Sequence, residues 1–144
     1  MLTLAMLFAV TAPHPLVGVW RVTYPWHTEM RNGVVVPYQE NGEVTVEMKG
    51  DSLIATVTTT RTSEFSPTRP FRLATIANGS EAVFVERSVV NFTTADGAVR
   101  EATAVTTWVL RPAGDDLGGS LERYLEGADA KRTPRPVTGR RIRS

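Results

Sequence analysis

The stretch Leu16-Val-Gly-Val-Trp-Arg-Val-Thr-Tyr24 decides how the remainder of the chain is read. With a period of two, Leu16, Gly18, Trp20, Val22 and Tyr24 share one face, and Arg21 and Thr23 lie on the other. This is a strand with one bulky apolar side. Gly18, two residues before the Trp, leaves room for another backbone to come close. The indole of Trp20 can then plug one end of a closed sheet.

Downstream, the chain reads as one hairpin after another. Val44, Val46 and Met48 alternate with Glu43, Thr45, Glu47 and Lys49, and Gly50-Asp51 turns this strand into a β-prone run over 52–60. A polar loop with Pro67 and Pro70 leads to a strand over 71–77. Asn78-Gly79 is a strong hairpin signal, pairing that strand with 81–93. Asp96-Gly97 turns into a long strand over 98–110. Residues 112–116 turn again into 117–126, a linker follows to Pro136, and 137–143 closes the chain. Between the first strand and this series, residues 25–42 contain Pro25, Pro37, Asn32-Gly33 and Asn41-Gly42 and read as a long first loop; a short strand over 34–38 is the other reading.

The count is eight strands, nearly all joined by tight turns, without a convincing helix. That pattern predicts an all-β fold: a single eight-stranded antiparallel up-and-down barrel, with a two-sheet β-sandwich as the competing arrangement. A chain of 144 residues is long enough for one such domain and its core.

Composition narrows the chemistry. With no cysteine, disulfides, thiol catalysis and Cys-based zinc sites are excluded. Up to residue 130, ten basic side chains face 15 acidic ones, a net of −5, whereas the tail from Lys131 carries six basic residues and no acid. No aromatic or Gly-rich nucleic-acid pattern accompanies these charges, so the tail is expected to fold back on an acidic body as a last strand, with no nucleic-acid partner. Residues 1–12 are apolar and uncharged, too short to span a bilayer, and match the apolar core of a secretory signal. The expectation is a signal peptide over 1–12, a single domain over 13–144, a secreted or periplasmic location and no stable membrane insertion.

No catalytic motif is present. His14 and His27 have neither Cys partners nor metal-ligand spacing, so no metal site is expected. The nearest approach to a nucleophile elbow, Gly118-Gly-Ser-Leu121, lacks its second Gly, and Gly114-Asp-Asp-Leu-Gly-Gly119 puts acids where a phosphate loop needs amides. Neither an enzyme nor a cofactor is expected.

The Gly18-x-Trp20 strand resembles the first strand of the lipocalin-like (calycin) families, and this resemblance favours the barrel over the sandwich. It implies that a basic residue from the final strands stacks on the Trp20 indole. Arg140 or Arg141 is the candidate, and the two form a structural lock with Gly18 and Trp20, worth ~0.5–2 kcal/mol as a cation–π contact. It also implies that lumen arginines hold a ligand's acidic group. Strand parity supplies the lumen candidates. Arg123 shares a face with Leu117, Leu121 and Leu125; Arg140 shares one with Ile142; Trp108 shares one with Ala102, Ala104, Thr106 and Leu110. With Trp20 and Tyr24 these form the candidate ligand-binding set. Trp26, Tyr38 and Phe65 are placed around a mouth.

The function expected from this is binding of a small apolar or acidic amphipathic molecule. The alternative is an exported interaction protein, such as a protease inhibitor with Pro13-His14-Pro15 as its arm, whose barrel is filled by side chains.

Overall fold

The computed structural model describes residues 13–31, 34–60, 66, 67, 69–127 and 133–144. Residues 1–12, expected to be a signal peptide, and Phe65 lie outside the described residues. Nine strands make one sheet: β1 (Gly18–Arg31), β2 (Val34–Lys49), β3 (Ser52–Thr59), β4 (Phe71–Ile76), β5 (Ala82–Thr93), β6 (Val99–Ala113), β7 (Asp116–Leu125), β8 (Arg135–Pro136) and β9 (Thr138–Arg143). The order is β4-β3-β2-β1-β9-β7-β6-β5, with the two-residue β8 beside β7 and every pairing antiparallel. Setting β8 aside, this is an eight-stranded up-and-down barrel, nearly closed, with one seam between β4 and β5. The fold is compatible with a lipocalin-like one. No helix occurs among the described residues.

The alternation in sequence sets the inside of the barrel. Leu16, Trp20, Val22 and Tyr24 are buried together, as are Val44 and Val46 on β2 and Leu53, Ala55 and Val57 on β3. Ala82 and Phe84 on β5, Trp108 and Leu110 on β6, and Leu117 and Leu121 on β7 complete the core. Each large side chain buried here adds about 1.5–3 kcal/mol of hydrophobic stabilisation. One-residue slips would turn these residues outward, so burial on one face fixes the register.

Two expectations are corrected. Residues 25–31 and 34–42 are not a loop: they continue β1 and β2, paired with Pro25 opposite Gln39 and Arg31 opposite Val34, and the alternative strand over 34–38 lies within β2. The prolines and Asn-Gly pairs suggested punctuation, but the ladder absorbs Pro25 at an irregularity. The register shifts between Pro25 and His27, which leaves Trp26 as an extra residue, and a bulge tolerates a strand residue without an N–H.

The second correction concerns Asn78-Gly79. A turn forms there, with Gly79 at φ +72°, yet the strands it joins are not laddered to one another. The Ala77 N–H bonds to the Asp51 carbonyl on the β3 side, while β5 pairs along its whole length with β6. The seam is lined by Thr75, Ile76, Asn78, Glu81 and Val83 around a groove of about 310 Å³. Ile76, Val83 and Val85 are exposed beside it.

Candidate functional site

The two ends of the barrel differ in chemistry. At the end where β1 begins, the lock is assembled. The Arg141 guanidinium carbon sits 4.2 Å from the centroid of the Trp20 ring. Its Nη1 and Nη2 donate to the carbonyls of Val17 and Pro15, each at 2.6 Å, and its Nε lies 3.3 Å from Asp115 Oδ1. The Trp20 indole N–H donates to the Leu16 carbonyl at 2.8 Å. Gly18 has φ +139°, and a Cβ there would lie 2.6 Å from both Arg141 Nη1 and the Arg143 carbonyl oxygen. The glycine is needed for its conformation and for the space. His14 ties this end down further: Nδ1 accepts from the Leu16 N–H at 3.1 Å, and Nε2 donates to the Gly79 carbonyl at 2.6 Å.

Arg140 is not part of the lock, nor does it point into the lumen. It is opposite Arg21 on the outer face, 80 % exposed, with Nε 3.8 Å from Asp116 Oδ1. Parity misleads here because Ile142 is an outward residue. The register between β1 and β9 shifts from Val19↔Arg143 to Trp20↔Arg141, so Ile142 is the residue left over and is itself exposed. The inner face of β9 belongs to Gly139 and Arg141. The basic tail does fold back on acids, as expected, at Asp115 and Asp116.

At the other end, four aromatic rings meet. Tyr24 lies 5.1 Å from Trp108 and 6.0 Å, edge-on, from Trp26; Trp26 stacks on Phe71 at 5.6 Å, and Phe71 lies 6.1 Å from Trp108. Trp26, unpaired at the irregularity in β1, is two residues after Tyr24 and continues its face. Arg123 extends from the inner face of β7 over the Trp26 ring, with its guanidinium carbon 5.4 Å from the centroid, and remains exposed to solvent.

Polar groups surround these rings. The Glu40 carboxylate is fully buried opposite Tyr24 and accepts from the Ser66 hydroxyl at 2.8 and 3.0 Å. The Tyr24 hydroxyl is hydrogen-bonded to Thr59. Burial pushes the Tyr24 phenol up to about 12, the Thr59 bond works against this, and the Glu40 charge adds to it. Trp108 is buried, and its indole N–H has no acceptor among the described residues. Buried donors are nearly always satisfied, so this donor stands out in the cluster.

The structure therefore groups Tyr24, Trp108 and Arg123 at the open end, and Gly18, Trp20 and Arg141 at the closed end. Trp20 belongs to the lock and is walled off from the open end by the core. Two contributors were missed from sequence. Glu40 was hidden by reading 25–42 as a loop, the same reading that placed Trp26 at a mouth. Glu86 was legible: Ala82, Phe84 and Glu86 share parity, and Thr106, on the face of Trp108, pairs with both Glu86 and Arg123. Among the described residues no group of three or more His, Asp or Glu side chains is arranged to hold a metal ion. No protein-family model, curated protein or solved structure matches the chain.

Proposed function

We propose that the chain is an exported, lipocalin-like binding protein that takes a small amphipathic molecule bearing an anionic group at the open end of its barrel. The observation that carries this reading is the unsatisfied Trp108 N–H within the aromatic cluster that Arg123 overhangs. A ligand with an acceptor atom for the indole, apolar surface for Trp26 and Phe71, and a negative group for Arg123 would complete all three. Arg123 has no acidic partner among the described residues, so its charge is available. Its exposed position suits a head group at the rim with the apolar part directed inward. At the closed end Trp20, Leu16 and Leu117 are packed into the core, so the reading puts the ligand at the opposite end.

The test is titration of intrinsic tryptophan fluorescence with laurate and other dodecyl amphiphiles. Saturable quenching or a blue shift is expected. Trp108→Phe keeps one aromatic ring but removes the N–H donor along with the five-membered ring, and should weaken binding by at least about five- to tenfold, the worth of one hydrogen bond. Absence of any saturable response in a cooperatively folded protein would refute the reading.

A further inference from the structure

The inner wall at the open end carries one row of side chains across three neighbouring strands. Glu86 on β5 is opposite Thr106 on β6, and Thr106 is opposite Arg123 on β7. Paired residues share a face, and Thr106 is buried, so the row lies on the inside of the sheet. The row below it is Phe84, Trp108 and Leu121, all buried. A negative and a positive group thus stand on either side of a small neutral residue, immediately above the indole with the unsatisfied donor.

These two charges do not neutralise each other. Two strand spacings put their backbones about 10 Å apart. Arg123 turns away from Glu86 toward Trp26, on the far side of β7. Glu86 is exposed and has no hydrogen-bond or ion-pair partner among the described residues. A fatty acid meeting this wall would gain Arg123 and be repelled by Glu86. A simple cation would meet the reverse. Only a head group carrying both signs is complementary to both residues, and the repulsive member provides discrimination against singly charged amphiphiles.

We propose that the ligand of the open end is a zwitterionic amphiphile, its anionic group on Arg123 and its cationic group on Glu86. This deepens the binding function proposed above and rests on it. An oxygen of the anionic group or of its linker supplies the acceptor that Trp108 lacks. Glu86 is then the specificity-determining residue of the site.

The experiment uses the full chain and three probes with the same tail, each below its micellar concentration: dodecylphosphocholine, laurate and dodecyltrimethylammonium. Binding is measured by calorimetry and tryptophan fluorescence, with circular dichroism to verify that each variant is folded. Dodecylphosphocholine should bind about tenfold tighter than either singly charged probe, the worth of one additional charge-assisted contact. Glu86→Gln should abolish that preference by weakening the zwitterion and dodecyltrimethylammonium while relieving the repulsion of laurate, and Glu86→Lys should turn the preference over to laurate. Arg123→Gln should weaken the zwitterion and laurate together. If laurate binds as tightly as dodecylphosphocholine and both Glu86 variants leave all three affinities unchanged, the zwitterion assignment is overturned while the binding function stands. If the folded protein binds none of the three, both are overturned.

Discussion

Replacing Arg141 by Ala separates the two arginines that sequence alone left as equal candidates for the lock. Arg141 is 17 % exposed, lies over the Trp20 indole, and donates to two backbone carbonyls at 2.6 Å. A partly desolvated cation–π contact is worth about 1 kcal/mol. Two hydrogen bonds from a charged donor, netted against water, add about 1 kcal/mol each. The sum is about 3 kcal/mol. With a urea slope of about 2 kcal/mol per molar, the unfolding midpoint should fall by about 1.5 M. Arg140→Ala, at an 80 % exposed position, should change stability by no more than about 0.5 kcal/mol. Arg141→Lys should recover only part of the loss, because an ammonium cannot fork between two carbonyls while lying flat on a ring. The assay is equilibrium urea unfolding followed by tryptophan fluorescence, with the slope checked for constancy. Equal losses from Arg140→Ala and Arg141→Ala would refute the β1–β9 register and the lock with it.

Other outcomes follow from the same geometry. Gly119 has φ +152°, and a Cβ there would overlap the Val109 carbonyl oxygen, whereas nothing lies within 4 Å of one at Gly118. Gly119→Ala should therefore cost about 3–5 kcal/mol, combining backbone strain with overpacking, and Gly118→Ala less than about 1 kcal/mol, both read by thermal unfolding. For Tyr24, the phenol is raised to about 12 in the folded protein against 10.0 for the free group. The unfolded chain then loses this proton first, so the contribution is intact below pH 10 and is lost as pH rises toward 12. Absorbance at alkaline pH should show one tyrosine titrating late, and Tyr24→Phe should flatten the fall in stability over that interval.

The barrel was legible because its evidence is local and repeated. Alternation in β3, β6 and β7 and the turns at Gly50, Gly97 and Gly114 each point to the same architecture, and Gly18-x-Trp20 identified the closed end. What was not legible depends on pairing at a distance. Glu40 becomes a site residue because the first hairpin continues far enough to put it opposite Tyr24, a fact not written in the residues themselves. Trp26, two residues after Tyr24, continues that strand's inner face, which the loop reading of 25–42 interrupted. Arg140 and Arg141 could not be told apart because Ile142, left over at a register shift and exposed, faces outward with Arg140, where its apolar side chain suggested an inward face. Asn78-Gly79 gave a turn without a ladder, since a turn residue specifies the bend and not what its flanks will bond to.

The lock also has a consequence in time. It joins Trp20 to Arg141, and its two halves leave the ribosome far apart: at 5–20 residues per second the arginine follows the tryptophan by roughly 6–24 s. Over that interval β1 has β2 as its neighbour and nothing on its other side, because that place belongs to β9. The indole, the Leu16 side chain and one free row of amides stay uncovered until Thr138–Arg143 has been made. The order of synthesis thus leaves the strand that carries the Trp20 indole waiting longest for its cover, and that nascent state is the one in which a holding chaperone, or an encounter with another unfinished chain, decides the yield of folded protein.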